Sequence, residues 1–412
     1  MSGLNFLNKL LDGVDVEWLS LGELGDFIRG NVLQKKDFVE SGFPAIHYGQ
    51  IYTRYGLSAD KTFTYVLPEL ANKLRKAQKN DLLLATTSEN DEDVVKPLAW
   101  LGDNVAISGD MMLFRHEQNV KYLAYFFQSE IFQTQKMKYI TGAKVRRVSS
   151  GDLSKIKIPI PCSNNPEKSL TIQSEIVRIL DRFTALTAEL TAELTAELTM
   201  RKNQYNYYRD QLLCFDEAEV EWKTLADVAI LRRGRVMSKG YLEQNAGDYP
   251  VYSSQTARNG MIGSIDTYDF DGEFISWTTD GANAGTVFYR TGKFSITNVC
   301  GLIKIHENYP ISYKYLYYWL SIEAQKHVYS GMGNPKLMSH QVEKITVPIP
   351  FPASPEKSML EQQRIVGILD KLEAITFSLT EGLPREIELR QKQYEYYRDL
   401  LFSFPRPETA SN

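Results

Sequence analysis

The sequence predicts two compact α/β (α+β) domains separated by two long helices that pack on each other as a coiled coil. The parts follow one another in a pseudo-twofold, circular order. Three observations predict this fold. The chain contains two copies of one sequence, the closely matched part of each copy has the apolar period of a helix, and the diverged part alternates strand-like runs with aromatic helical stretches.

The duplication is clearest in two pairs of segments. "PEKSLTIQSEIVRILDRF" begins at residue 166 and returns as "PEKSMLEQQRIVGILDKL" from residue 355. "RKNQYNYYRDQLLCF" begins at 201 and returns as "RQKQYEYYRDLLFSF" from 390, so both pairs are 189 positions apart. Further upstream the copies diverge, because "EWLSLGELGDFIRG" from Glu17 only resembles "EWKTLADVAILRRG" from Glu221, at a separation of 204. Each copy therefore has a diverged part followed by a matched part.

The ends of the chain indicate the circular order. "LLDGVDVEW" at 10–18 resembles "LLCFDEAEVEW" at 212–222, so the first residues look like the end of a matched segment that leads into a domain. We therefore expect the two termini to lie near each other. The predicted parts are a first domain over 1–165, whose N-terminal segment completes the cyclic repeat, a long helix over 166–215, a second domain over 216–354, a long helix over 355–404 and a flexible tail over 405–412.

Each matched segment carries one apolar stripe. Apolar residues recur mostly in steps of 3 and 4 from Ile176 and again from Ile365, which is the spacing of one helical face. A helix with a single long stripe needs a partner, and its own duplicate is the obvious one. Gly382 and Pro384 interrupt the second stripe, so we expect a kink or a restart near Leu383. The spacer residues of the predicted coiled coil are Leu186, Leu190, Leu194, Leu198, Ile375, Leu379, Leu383 and Ile387.

The composition narrows the classes of protein to consider. The 412 residues are 43% hydrophobic, without an apolar run long enough to cross a membrane, and we expect neither a signal peptide nor a membrane partner. Three widely separated cysteines indicate the cytoplasm. No Cys/His cluster has metal-ligand spacing, so we predict no metal site. The net charge of −4 argues mildly against a surface covered by phosphate contacts, although the distribution of charge matters more than its sum.

Basic, Gly-rich loops are the candidate binding sites of the diverged segments. The stretch 136–157 contains seven lysines and arginines against the single acid Asp152. Such loops suit phosphate and base-edge contacts, and a solvated charged loop is the alternative for any one residue. "GMGNP" and "TTDGANAG" lack the nucleotide-binding fingerprints. The candidate DNA-binding residues are Lys138, Lys144, Arg146, Arg147, Arg232, Arg233, Arg235, Lys239 and Lys336.

Taken together, two diverged domains, each followed by a matched long helix in a circular arrangement, resemble the specificity subunit of Type I restriction-modification enzymes. The resemblance covers essentially the whole chain. Its most specific elements are the paired "PEKS…IVxILD" and "QYxYYRDxLL" segments and the blocks "GAKVRRVSSGDLSKIKIPIP" and "GMGNPKLMSHQVEKITVPIP" that precede the helices.

The resemblance implies a division of labour. The two domains would be target-recognition domains, each recognising one half of a split double-stranded DNA sequence, and the helices would form an antiparallel coiled coil between them. Two methyltransferase (modification) subunits and two ATP-driven restriction/translocase subunits would be the partners. This chain would hold no catalytic residue and bind no cofactor, because S-adenosylmethionine, ATP and Mg²⁺ would belong to the partners. The candidate docking residues are Tyr205, Tyr207, Tyr208, Arg209, Tyr394, Tyr396, Tyr397 and Arg398.

The tandem repeat "TAELTAELTAEL" at 187–198 predicts that length itself matters in the first helix. Four residues advance a helix by about 40° beyond one turn, and one base pair turns B-DNA by about 34–36°. The number of repeats would then set the separation of the half-sites. Two alternatives remain at this stage: a coiled-coil scaffold that joins two protein-binding domains without DNA, and an autonomous enzyme. The absence of an Asn/Asp-Pro-Pro-aromatic tetrapeptide disfavours a methyltransferase.

Overall fold

The computed structural model describes residues 13–216, 220–307, 309–330 and 333–404, with the main chain alone described over 377–381. The predicted flexible tail and most of the N-terminal segment lie outside these ranges. Contacts divide the chain into a first unit, residues 1–194 with 384–412, and a second unit, residues 195–383. Both long helices are therefore shared between the units. In the described residues, no helix is both apolar and long enough to span a bilayer.

The described elements include 22 strands and 12 α-helices. The strands are β1 (Val16–Ser20), β2 (Gly25–Arg29), β3 (Phe38–Val39), β4 (Phe43–Ile46), β5 (Ser58–Ala59), β6 (Thr64–Val66), β7 (Lys76–Ala77), β8 (Leu82–Ala85), β9 (Thr87–Ser88), β10 (Lys96–Trp100), β11 (Val105–Ile107), β12 (Met111–His116), β13 (Arg146–Arg147), β14 (Lys157–Pro161), β15 (Val220–Thr224), β16 (Ala229–Arg233), β17 (Ala246–Tyr252), β18 (Met261–Ile265), β19 (Phe270–Thr278), β20 (Val287–Ile296), β21 (Cys300–Ile305) and β22 (Thr346–Pro350). The helices are α1 (Leu21–Leu24), α2 (Tyr48–Thr53), α3 (Pro68–Ala71), α4 (Val120–Gln128), α5 (Glu130–Lys136), α6 (Ser150–Leu153), α7 (Pro166–Leu212), α8 (Leu225–Val228), α9 (Lys239–Gln244), α10 (Tyr313–Glu323), α11 (Ser339–Val342) and α12 (Pro355–Phe402).

The first unit is built around a five-stranded sheet of order β2-β12-β8-β10-β5, beside a second sheet of order β3-β6-β4-β11-β7. Side chains of β8 alternate between two cores, as the period of a strand requires. Leu82 and Leu84 pack in the core that contains α4 and Ile176 of α7, whereas Leu83 lies in the core shared with the second sheet. The central sheet is therefore covered on both faces.

The second unit has one six-stranded sheet of order β16-β21-β19-β20-β17-β18. One face packs on α10 and on Ile365 and Leu369 of α12. The other face carries a small aromatic core that includes Phe274 and Phe294. The antiparallel pair β15–β22 repeats the pair β1–β14 of the first unit. The two copies thus share one scaffold, and the number and grouping of their strands have diverged.

The matched segments form the two long helices that the apolar stripe predicts. Both begin at a proline, Pro166 or Pro355, whose fixed φ suits the first helical position and whose missing N–H costs no bond there. The second helix continues through Pro384 without interruption, so the expected restart near Leu383 is not observed. Proline removes one helical hydrogen bond, and the segment beyond it remains helical because its end is held in the core of the first unit by Leu401 and Phe402.

The long helices pack against each other within each unit. In the first unit, the Phe183 ring stacks on Tyr397 with centroids 5.3 Å apart, and the next residue, Thr184, donates to the Tyr394 hydroxyl over 3.2 Å. The two helices are antiparallel, because a later residue of α7 contacts an earlier residue of α12. In the second unit, Tyr205 of α7 interacts electrostatically with Glu373 and Asp370 of α12, which is the same antiparallel order. The predicted helix pairing is confirmed.

The predicted spacer residues are less buried than the helix ends. Leu186 and Ile375 are 52% and 59% exposed. The remaining predicted positions that the structure describes are half-buried, namely Leu190, Leu194, Leu198, Leu383 and Ile387. The side chain of Leu379 lies outside the described residues. Val14 and Phe404 both belong to the core of the first unit. The two termini, which were expected to lie near each other, are outside the described residues.

Candidate nucleic-acid interface

One end of the central sheet in the first unit collects three loops. Strand β2 ends at Arg29, β8 ends at Ala85 and β12 begins at Met111, and these residues lie together because β12 is antiparallel to both neighbours. The other end of the six-residue strand β12, about 20 Å away, leads to α4. There the main-chain amide of Asn119 donates to the Gln173 side chain of α7. We call the end of the sheet that lies away from α7, where Arg29, Ala85 and Met111 meet, the loop end of the first unit. It comprises residues 29–36, 86–93 and 108–110.

The second unit builds the same feature from the same contacts, and its loop end comprises residues 233–239, 279–286 and 297–299. Four contacts of the first loop end recur at matching positions in the second, and the acceptor in three of them is a main-chain carbonyl. The side-chain-to-carbonyl pairs are Arg29–Gly109 and Arg233–Asn298, the amide-to-carbonyl pairs are Gly30–Met111, Gly234–Cys300, Thr86–Asp110 and Thr279–Val299, and the β-bridges are Asn31–Ser108 and Arg235–Thr297. Arg233, a predicted DNA contact, thus also fixes the loop end.

Gly30 and Gly234 occupy positions where no side chain fits. A Cβ at Gly30 would overlap the carbonyl oxygen of Ser108, and a Cβ at Gly234 would overlap the carbonyl oxygens of Ile296 and Thr297. Glycine therefore lets the loop backbone lie directly against the residues that enter the neighbouring strand. The loop has a fixed shape before any ligand binds, which lowers the entropy cost of binding.

A short hairpin, closed by the β-bridge Thr141–Arg147 in the first unit and by Tyr329–Lys336 in the second, adds a cation to each loop end. In the first unit, β13 (Arg146–Arg147) pairs with β9 (Thr87–Ser88). In the second unit, Lys336 forms a bridge with Asp280, and its ammonium group lies 3.7 Å from that carboxylate. Arg147 and Lys336 are 189 positions apart, which is the separation of the matched repeats. Both copies therefore place a cation at the same point.

The predicted cations of the first unit fall into an exposed group and a fixed group. Lys144 and Arg147 are exposed on the hairpin, and Lys138 is exposed on the turn that precedes it. Arg146 lies between them and forms an ion pair with Asp91 at 2.8 Å. The ion pair ties the hairpin to the loop after β9, so Lys144 and Arg147 are the cations that the hairpin presents to solvent.

The same division holds in the second unit. Arg232 and Lys239 are exposed. Arg235 donates to the Tyr241 hydroxyl over 3.1 Å and to the Asp269 carboxylate over 3.0 Å, and these partners raise the pKa of Arg235. Its guanidinium group therefore serves mainly to hold the loop between β16 and α9.

Further cations at the first loop end were not predicted. Lys35 and Lys36 are exposed directly after the glycine loop, and the Arg75 amide donates to Asn31 Oδ1 over 2.7 Å, which brings another basic stretch beside that loop. The sequence contains a pattern that could have revealed this basic stretch, although the second copy has no equivalent of it. Four cations fall between residues 73 and 79: Lys73, Arg75, Lys76 and Lys79.

Arg258 is a further cation that was not predicted, in the second unit. Arg258 is exposed, and both Arg258 and Asn259 have left-handed backbone conformations, with φ of 50° and 56°. Arg290 lies beneath this turn, because a Cβ built at Gly260 would be 3.2 Å from its guanidinium. That guanidinium is 3.6 Å from the centroid of the Tyr252 ring and donates to Ser276 Oγ. Burial lowers the pKa of Arg290 to about 10. The turn is thus supported from below.

Lys136 belongs to the basic stretch before the hairpin, yet its side chain is fully buried. Its ammonium donates to the carbonyl groups of Glu92 and Val94, over 2.8 and 3.0 Å. Burial lowers the pKa of Lys136 to about 8. Lys136 therefore fixes the loop after β9 from inside the unit and is not available to a ligand in solution.

The predicted docking residues divide into exposed and packed side chains. Tyr207 and Tyr396, which are equivalent in the repeat, are 62% and 63% exposed, and Tyr208 is 45% exposed. The packed tyrosines are Tyr205 and Tyr394, which lie beneath Arg209 and Arg398 at 5.7 and 5.9 Å, and Tyr397, which stacks on Phe183. The exposed pair is the part of this cluster that can meet a partner. Among the described residues, no group of His, Cys, Asp and Glu side chains is arranged to hold a metal ion.

Comparison with known proteins agrees with this architecture. The family described as "Type I restriction modification DNA specificity domain" matches residues 13–200 and 217–389, one range for each copy. A solved chain described under "Structural basis underlying complex assembly and conformational transition of the type I R-M system" has a similar fold, with a TM-score of 0.69, 15% identity, and coverage of 94% of this chain and 97% of that chain.

Two curated relatives match along nearly their whole length. The chain is 39% identical over 438 aligned residues to the EcoR124I/EcoR124II type I restriction enzyme specificity subunit of Escherichia coli, with 100% of both chains covered. It is 33% identical over 396 residues to the EcoprrI specificity subunit of Escherichia coli, with 92% of this chain and 93% of the relative covered. The family model thus matches both copies of the scaffold, each of which has its own fixed loop end. The chain therefore belongs to the DNA-specificity subunits of type I restriction-modification enzymes.

Proposed function

We propose that this chain recognises a double-stranded DNA target in two separate halves, one half for each loop end, and catalyses no reaction itself. The observation that carries the proposal is the recurrence of four loop contacts in two otherwise diverged units. The side chains presented at matching positions differ, as with Asn31 and Arg235. A shared scaffold with different exposed side chains suits two different half-sites, so the target is asymmetric.

The exposed cations divide by chemistry. Lysines such as Lys35, Lys144 and Lys239 act as point charges and position the DNA through its phosphates. Exposed arginines such as Arg147 and Arg232 can also donate two parallel hydrogen bonds to guanine O6 and N7. The fixed arginines hold the loops. With a net charge of −4, the chain leaves part of the phosphate binding to its partners.

The partners supply the chemistry. Two methyltransferase subunits dock at the equivalent ends of the long helices, where Tyr207 and Tyr396 are exposed, because the repeat offers the same surface twice. Two ATP-dependent restriction/translocase subunits complete the assembly. S-adenosylmethionine, ATP and Mg²⁺ belong to these partners, and the reaction directed by the chain is adenine methylation or restriction of host-cell or foreign DNA in the cytoplasm.

The test begins with the methylated sequence in a host that carries the whole complex. Sequencing that detects modified adenine should show one split, asymmetric target. Gel-shift titrations of the chain with its methyltransferase partner then use that duplex and two matched controls, in which one half or the other is scrambled at constant composition. Each scrambled half should weaken binding. A continuous or palindromic target, or equal binding of all three duplexes, would contradict the proposal.

The TAEL repeats of residues 187–198 set the separation of the half-sites in this proposal. All three repeats lie inside α7, so removing one leaves a shorter helix. One repeat changes the helix by about 6 Å in length and about 40° in rotation. The rotation matches about one base-pair step of 34–36°. The rise of a base pair, about 3.4 Å, is smaller, and tilt of the helices or bending of the DNA has to absorb the difference.

Deleting Thr195–Leu198 tests the role of the repeats. The expected product methylates the same two half-site sequences with about one base pair less between them. A length-preserving control, Glu193→Gln with Ala196→Gln, changes two exposed positions in the repeats and should keep the original separation. An unchanged separation in a deletion variant that still binds and methylates DNA would remove this part of the proposal.

A further inference from the structure

Each loop end projects one valine into solvent. Val32 is 80% exposed and Val236 is 78% exposed, the highest values of any large apolar side chain in the described part of the chain. They are 204 positions apart, and each stands two residues after the glycine of its loop end. A single exposed apolar residue needs no explanation. The same exposure at the same point of two diverged loops indicates a shared use.

The chain is anchored next to both valines. Before Val32, Gly30 donates its amide to the strand entry, and after it Leu33 is buried in the small core of the second sheet. Before Val236, Arg235 is held by its hydrogen bonds to a tyrosine and a carboxylate. A β-branched side chain has few rotamers. Each valine is therefore held in a fixed position, and burying it against a ligand costs little entropy.

The surroundings indicate which ligand meets these side chains. Val32 is followed by the exposed Lys35 and Lys36, and Val236 lies between the exposed Arg232 and Lys239. Cations of this kind bring a polyanion to the loop end, and valine itself can neither donate nor accept a hydrogen bond. It cannot bind a phosphate or a sugar hydroxyl. The only apolar group that a base pair presents at its edge is the C5-methyl group of thymine, in the major groove.

We propose that Val32 and Val236 each contact the C5-methyl group of one thymine in the half-site that their unit recognises, a role that rests on the proposed function. Each valine then determines specificity at one T·A pair. The contact replaces water on two apolar surfaces and requires no charge, so it adds sequence preference to the salt-dependent contacts of the neighbouring cations.

Thymine-to-deoxyuridine scanning tests this contact, because it removes a single methyl group from the DNA. The complex of the chain with its methyltransferase partner is titrated with the mapped target duplex, in which each thymine is replaced in turn. Wild type should lose about fourfold in affinity at one thymine of each half, the effect of one buried methyl group. Val32→Ala should be insensitive to replacement in the first half only, and Val236→Ala in the second half only.

The controls separate this contact from general damage and from the proposed function. Ile230→Ala removes another exposed apolar side chain of the second unit, 46% exposed, and should keep the wild-type scanning profile. Val236→Thr keeps the shape of the side chain and one of its two methyl groups, so it should keep a thymine preference weaker than that of wild type. Unchanged profiles in Val32→Ala and Val236→Ala, or a half-site without a T·A pair, would overturn the contact. A wild-type complex that does not prefer the mapped duplex over scrambled DNA would instead overturn the proposed function.

Discussion

Removing two cations from the first loop end is expected to change the salt dependence of DNA binding. The perturbation is Lys144→Ala combined with Arg147→Ala, because both side chains are exposed on the hairpin. Arg146 stays in place, since its ion pair with Asp91 fixes the hairpin. The double variant therefore removes charge from the interface while the loop keeps its position.

The magnitude follows from counterion release. Each phosphate contact contributes about −0.9 to the slope of log K against log salt for B-DNA. Loss of two contacts should make the slope shallower by about 1.8. Over a fourfold rise in salt, from about 50 to about 200 mM, the variant should lose about 12-fold less affinity than wild type. The variant binds more weakly at low salt, and the difference narrows as salt rises.

The assay is a titration of the mapped duplex, by fluorescence anisotropy at four salt concentrations, with the chain in complex with its methyltransferase partner. Lys168→Ala with Lys357→Ala is the matched control, because it removes the same charge from exposed positions at the starts of the long helices. The control should keep the wild-type slope. Parallel slopes for the hairpin variant and wild type, with equal unfolding temperatures, would show that the hairpin makes no phosphate contact.

Three further predictions concern the stability of the chain, the docking of its partner and the second loop end. Gln173→Leu or Gln362→Leu should lower the free energy of unfolding by about 1–3 kcal/mol, because each buried amide accepts from a main-chain N–H of its domain; a wild-type urea midpoint would contradict this. Tyr207→Ala with Tyr396→Ala should weaken methyltransferase binding in calorimetry without a change in unfolding temperature, and unaltered affinity would exclude these docking residues. Gly234→Ala should displace its loop and reduce affinity for the second half-site at least tenfold in gel shifts; wild-type binding would show that the fixed loop is dispensable.

The long helices could be predicted because the duplication shows the same apolar stripe in two different sequences. The continuation of the second helix through Pro384 could not be predicted. An interior proline costs about 3 kcal/mol, and the sequence around it shows this cost but not the distant contacts that offset it. What opposes it is the burial of Leu401 and Phe402 in the first unit, at 3% and 0% exposed. Those contacts join residues that are far apart in sequence, so no local pattern reports them.

The site was only partly predictable for the same reason. The basic stretch 136–157 was found because its cations are close together in sequence. Whether an arginine is free or fixed depends on distant carboxylates, such as Asp91 for Arg146 and Asp269 for Arg235. Val32 was not predicted as a site residue, because the sequence does not distinguish an exposed apolar residue from its buried neighbour, Leu33.

The contacts shared by the two loop ends explain how one scaffold can serve different half-sites. Arg29 and Arg233 donate to the carbonyl groups of Gly109 and Asn298, and the glycine amides that follow also donate to carbonyl groups. Every residue type supplies the same carbonyl acceptor. The residue types at the two acceptor positions, Gly109 and Asn298, therefore differ without loss of the anchor. Loop side chains that face DNA can change in one unit while the backbone that presents them keeps its position, so specificity can diverge without a new fold.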